Sequence, residues 1–124
     1  MRPSGYLTRP DYRVDILRRR NHFRVMRDGT VLADSSATLI VDEQDHALIV
    51  YFPPADVAFD KLVPVDAKTT HCPYKGDARY WASVDAPDVP IAWGYDQPYP
   101  EVATITGYVA FYADAVTITM GGEA

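Results

Sequence analysis

The chain has 124 residues, 48% hydrophobic and 23% charged, which suits one globular domain over residues 1–124 and excludes a disordered chain or two independent cores. Cys72 is the single cysteine, so an intramolecular disulfide and a two-cysteine zinc knuckle are both excluded. Charge is divided: residues 1–30 hold eight arginines against three aspartates, net +5, whereas the remainder holds four basic and fourteen acidic residues, net −10.

The acidic body argues against nucleic acid as a partner, because it repels a phosphate backbone. No apolar stretch has the length of a signal peptide or a membrane span, so a cytoplasmic address without a membrane partner is expected.

Residues 1–11 contain Pro3, Gly5 and Pro10 without periodicity, and Gly121-Gly122 close the chain; residues 1–11 and 121–124 are expected to fray. His22–Arg27 and Thr30–Ala33 flank Asp28-Gly29, a pair suited to the positive φ angles of a tight hairpin turn. Thr38–Val41 and Ala47–Phe52 are continuous apolar runs too short for solitary helices, and predict a second hairpin buried on both faces. Pro53-Pro54 ends that strand, and a short helical turn is expected between Asp56 and Lys61. Arg79–Val84, Ile91–Tyr95, Gly107–Tyr112 and Val116–Met120 supply four more strands. In the last of these Val116, Ile118 and Met120 alternate with Thr117 and Thr119, which signals one wet face. Pro100–Ile105 is expected to make one or two helical turns, with proline near its start and Gly107 ending it. The class is therefore all-β with one or two short helical turns.

The densest group of reactive side chains lies in Thr69–Trp81. Lys75-Gly76 sets a cation beside a residue that permits close backbone approach, an arrangement useful to an anionic ligand, but the flanking residues do not make a phosphate loop. Cys72 is either a buried structural thiol or a nucleophile. In an extended segment its neighbour His71 points to the opposite face and cannot readily act as its base. His22, His46 and His71 show no metal-ligand spacing with one another or with Cys72, so no metal and no cofactor is expected. Asp34, Asp77 and Glu101 are candidate acid–base groups. Glu101 follows Tyr99-Pro100 at an aromatic-rich region; it is either an acid with a raised pKa in a dry site or a carboxylate favoured by a helix dipole. Trp93 and Tyr95 share a strand face, and Trp81, Tyr99, Tyr108 and Tyr112 arrive from neighbouring segments. Such a set forms either a tyrosine-rich core or a cleft for a small flat or cationic ligand.

Val31–Ser35, Val50–Pro54, Thr70–Gly76 with Ala78 and Tyr80-Trp81, Ala92-Trp93 with Tyr95, and Gly107–Tyr112, in this order, resemble the family catalogued as domain of unknown function 427, which also carries a nucleotidyltransferase label. The resemblance implies a β-tent, or Mss4-like, domain of two antiparallel sheets. Relatives of that fold often pin the sheets with cysteine-bound zinc, which Cys72 alone cannot do. The nucleotidyltransferase label finds no support in the residues, which offer neither paired metal-binding carboxylates nor a phosphate cradle.

The expected function is that of a small-molecule-binding domain with the capacity to be an enzyme. Trp81, Trp93, Tyr95, Tyr108 and Tyr112 would line the cleft, Lys75 would hold an anionic group, and Cys72 or Glu101 would supply any nucleophilic or acid–base step. The alternative is a non-catalytic interaction module that docks an acidic partner through a basic N-terminal arm containing Arg18, Arg19 and Arg20.

Overall fold

Asp28 and Gly29 both adopt positive φ, 50° and 81°, and join two antiparallel strands as the hairpin signal requires. The same local chemistry holds at Gly107, whose φ of 77° follows the 3-10 turn Pro100–Ile105. In the computed structural model residues 3–66 and 68–123 are described. Of the ends expected to fray, residues 1, 2 and 124 lie outside them.

The strands are β1 (Val14–Arg19), β2 (Asn21–Arg27), β3 (Thr30–Ser35), β4 (Thr38–Glu43), β5 (Ile49–Tyr51), β6 (Leu62–Pro64), β7 (Thr70–Cys72), β8 (Gly76–Ser83), β9 (Pro90–Gly94), β10 (Val109–Phe111) and β11 (Thr117–Glu123). Short 3-10 turns fall at Gly5–Leu7, Pro54–Asp56, Phe59–Lys61 and Pro100–Ile105. None of the described helices is long and apolar enough to cross a membrane. The protein is thus mainly β, with minor helical turns.

Three sheets form, which corrects the expectation of two. One runs β1-β4-β5, another β11-β2-β3, and the largest β10-β9-β8-β6 with β7 added on β8. The extra sheet arises at two corners. Arg20 carries the chain from β1 beside β4 into β2 beside β3, and Ser36-Ala37 carries it back from β3 to β4. Residues 14–19, read from sequence as part of a basic arm, are therefore a paired strand, with Ile16 opposite Val41 and Arg19 opposite Thr38.

The five-stranded sheet is covered on both faces. In β8 the side-chain period of two sends Trp81 to one side and Ala78 and Tyr80 to the other. On the first side Trp81, Ile91, Ala92 and Phe111 pack with Phe23, Val25, Leu32, Ile40 and Phe52. On the second side Tyr80, Tyr95 and Ala110 pack with Leu39, Val41 and Tyr51, and Val102 and Ile105 of the turn close this layer. β4 contributes to both layers, so its apolar run is continuous rather than alternating. The wet face expected for β11 is present at Thr117 and Thr119. Val116 and Ile118 pack on the core, and Met120 is exposed beside an irregularity in the pairing with β2.

Phe52 ties the sheets together. Its N–H donates to the Val109 carbonyl at 2.8 Å and its carbonyl accepts from the Val109 N–H at 2.9 Å, joining the end of β5 to β10. Its ring meets the edges of Phe111 and Phe23 with centroids 5.8 and 6.5 Å apart. Phe52→Ala is expected to cost about 3–5 kcal/mol in urea denaturation, from lost burial plus a cavity. Met120→Ala should stay within about 0.5 kcal/mol of the parent.

Candidate functional site

Pro73-Tyr74-Lys75 turns β7 into β8, and Gly76 completes the turn at φ 123°, a conformation that favours glycine. A Cβ at Gly76 would stand 3.2 Å from the Gln97 carbonyl oxygen, so the close backbone approach there is made by the chain itself. The turn directs Lys75 inward, where the residue is only 8% exposed. Its ammonium forms an ion pair with Glu43 Oε1 at the end of β4, and Nζ lies 3.9 Å from Cys72 Sγ. Glu43 reaches this point because Leu39, Val41 and Glu43 share one face of β4.

The second oxygen of Glu43 accepts a hydrogen bond from Tyr12 Oη at 2.5 Å and has His46 Nε2 at 3.6 Å. Burial by itself would raise the Glu43 pKa. The hydrogen bonds from Lys75 and Tyr12, with the charges of Lys75 and His46, outweigh it and hold the carboxyl below its ordinary value. The Tyr12 phenol moves the other way: loss of water, the hydrogen bond to Glu43 and the carboxylate's charge all keep it protonated. A fixed array of phenol, carboxylate and ammonium results, in which the neighbours favour the protonated phenol and the ionised carboxyl.

Aromatic rings wall a hollow of about 530 Å3 above this array. Trp93 and Tyr51 meet edge to face at 6.3 Å, and Trp93 Nε1 donates to Tyr51 Oη at 3.2 Å. Tyr95 is buried beside them, and burial pushes the pKa values of Tyr51 and Tyr95 up. On the opposite wall Tyr12 stacks on Tyr74 with centroids 3.6 Å apart and planes 7° from parallel. The N-terminal segment holds Tyr74 in place: Gly5 N–H donates to the Pro73 carbonyl at 2.7 Å, and Tyr6 packs edge-on to Tyr74. Ile49, Ala47 and Val41 complete the apolar lining.

Of the residues singled out from sequence, Cys72, Lys75, Trp93 and Tyr95 meet at this hollow. Trp81 points to the other face of the five-stranded sheet, against Phe59 and under the Arg79 guanidinium. Tyr112 packs behind Trp93 at 4.7 Å, and Tyr108 lies on the same core layer without lining the hollow. Glu101 is exposed on the first turn of Pro100–Ile105, and neither it nor Asp34 or Asp77 lines the hollow. Asp34 is paired with His22 and Arg24, and Asp77 with His71 Nδ1 at 2.7 Å. Lys75, expected to offer its charge to an anion, is already neutralised by Glu43. Sequence reasoning missed Glu43, Tyr12, Tyr51 and Tyr74. The detectable signal was an acid in the third place of the inward row Leu39, Val41, Glu43.

Among the described residues no group of three or more His, Cys, Asp and Glu side chains converges to hold a metal ion.

Lys75→Met, which leaves the buried Glu43 carboxylate without its ammonium partner, is expected to cost about 3–5 kcal/mol, and Glu43→Gln with Lys75→Met together should restore most of it. Because the folded pKa of Glu43 is depressed, its contribution is complete above the usual carboxylate range. It is lost as pH falls through the folded value. Urea denaturation between neutral pH and roughly pH 3 should therefore show an acid loss of stability that is smaller in the double variant.

Comparison with curated proteins finds none that matches the chain. A family model matches residues 15–122, a stretch containing the whole hollow except Tyr12. By that match the chain belongs to the family described as Domain of unknown function (DUF427).

Proposed function

We propose that the domain binds a small planar molecule in the hollow between Trp93 and the Tyr12–Tyr74 stack, with a hydrogen-bond acceptor of the ligand directed at Lys75. The observation that carries this is a desolvated ion pair at the base of an aromatic hollow. A buried pair stabilises no better, and often worse, than well-packed apolar side chains of similar volume. Its presence where solvent-reachable aromatic walls converge therefore argues for use rather than for stability.

The chemistry of the walls selects the ligand. Trp93 and the Tyr12–Tyr74 stack offer flat surface and Ile49 an apolar edge, which suits an aromatic or conjugated group. Lys75 has three donors; one is engaged by Glu43 and another faces Cys72 Sγ at 3.9 Å, so one remains for a carbonyl or carboxylate oxygen. Glu43 already cancels the ammonium's charge, which favours a neutral or singly charged ligand over a polyanion. Tyr112 acts behind this surface, packed against Trp93, and Tyr95 lines the hollow beside it. Cys72 brings a thiol to the wall, and any covalent step would fall to it.

The test uses a Trp81→Phe background, in which Trp93 is the only tryptophan, and a panel of planar aromatic acids and amides beginning with benzoate and nicotinamide. At least one member should change Trp93 emission saturably. Ala47→Phe, an exposed substitution that fills the mouth, should weaken that binding about tenfold or more. A panel without saturable change, or binding indifferent to Ala47→Phe, overturns the proposal.

A further inference from the structure

The two corners that split the sheets lie side by side and enclose a second hollow of about 220 Å3, lined by Arg18, Arg19, Arg20, Ser36, Ala37 and Thr38. Thr38 lies five residues before Glu43 on β4, roughly 17 Å away along an extended strand, so this hollow is separate from the one that holds Lys75.

Two features set it apart. The first is its charge. Arg13 is paired with Asp15 and Asp42, Arg24 with Asp34, and Arg79 with Asp96. Arg18, Arg19 and Arg20 have no carboxylate within ion-pair distance among the described residues, although the chain as a whole carries a net charge of −5. Asp56, which approaches the neighbouring Ser35, is engaged by the Ser35 hydroxyl at 2.6 Å. Like charges placed at consecutive residues repel one another, and here no acid offsets that repulsion.

The second feature is a hydroxyl. Thr38 is 1% exposed, and its Oγ1 has no hydrogen-bond partner among the described residues. A buried hydroxyl without a partner is destabilising, and most native ones are satisfied. The register sets Arg19 directly opposite Thr38, so the guanidinium and the orphan hydroxyl leave the sheet on the same face.

We propose that this corner is a binding site for a phosphate-type oxyanion. The tetrahedral anion would accept from the planar fork of Arg19, whose donor spacing matches two oxygens of one phosphate, from Arg20 at the corner, and from Thr38 Oγ1, with Arg18 adding its charge from the adjoining face. Binding offsets the uncompensated positive charge of the corner and satisfies the hydroxyl at the same time. Discrete phosphate is favoured over a long polyanion because the surrounding body is acidic and the hollow holds only a few heavy atoms.

The experiment is thermal denaturation of the full chain titrated with inorganic phosphate and with pyrophosphate, each against sodium chloride at equal ionic strength. A saturable rise in the midpoint is expected. It should vanish when Arg18, Arg19 and Arg20, all exposed, are replaced together by alanine. Thr38→Val should keep or raise the midpoint in chloride while weakening phosphate about tenfold, since it removes an unsatisfied hydroxyl in the free state and a charge-assisted hydrogen bond in the bound one. A phosphate effect that does not saturate, or that persists in the triple variant, reports general salt stabilisation and overturns the proposal. Undiminished affinity in Thr38→Val also overturns it.

Discussion

A strand that is apolar on both faces can be left against water on neither, and β8 is such a strand. Tyr80 and Ala78 require a cover on one side, and Trp81 requires one on the other. The remaining sheets meet those two needs: β11-β2-β3 brings Phe23 and Val25 to the Trp81 side, and β1-β4-β5 brings Leu39, Val41 and Tyr51 to the Tyr80 side. β4 serves both layers because Ile40 and its neighbours point in opposite directions. The backbone pair between Phe52 and Val109 then fixes the distance between the small sheet and the central one.

The candidate site is a consequence of that packing at its margin. Leu39 and Val41 lie within the core layer, and the next residue on the same face, Glu43, falls where the layer opens to solvent. There it is met by Lys75, brought in by the turn at Gly76, and by Tyr12 from the N-terminal segment. Burial works against both charges, and the geometry offsets it by giving each carboxylate oxygen a donor. The same opening leaves Trp93 half-buried, with one side on Tyr112 and the other toward the hollow.

The opposite end of β4 shows the contrary arrangement. Each oxygen of Glu43 has a donor, whereas Thr38 Oγ1 has no hydrogen-bond partner among the described residues and stands beside arginines without acids. One strand thus connects an internally neutralised array with an uncompensated positive corner. Under the two proposals above, these different electrostatics suit different occupants, a nearly neutral planar molecule at one and a small oxyanion at the other.

Local chemistry determined much of this protein from sequence. The Asp28-Gly29 hairpin, the β4–β5 pair, the proline-led turn ending at Gly107 and the common face of Trp93 and Tyr95 all follow from φ preferences and a side-chain period of two, which act over a few residues. β1, β6 and β7 were not legible. β1 mixes one aspartate and two arginines with three apolar residues, the other two are three residues long, and each is held by a partner rather than by its own composition. Only the tertiary structure decided that the sheets number three, that Trp81 leaves the face shared by Trp93, and that Lys75 belongs to Glu43. These depend on register and on pairs such as Lys75–Glu43, 32 residues apart, and no short-range rule relates residues at that separation.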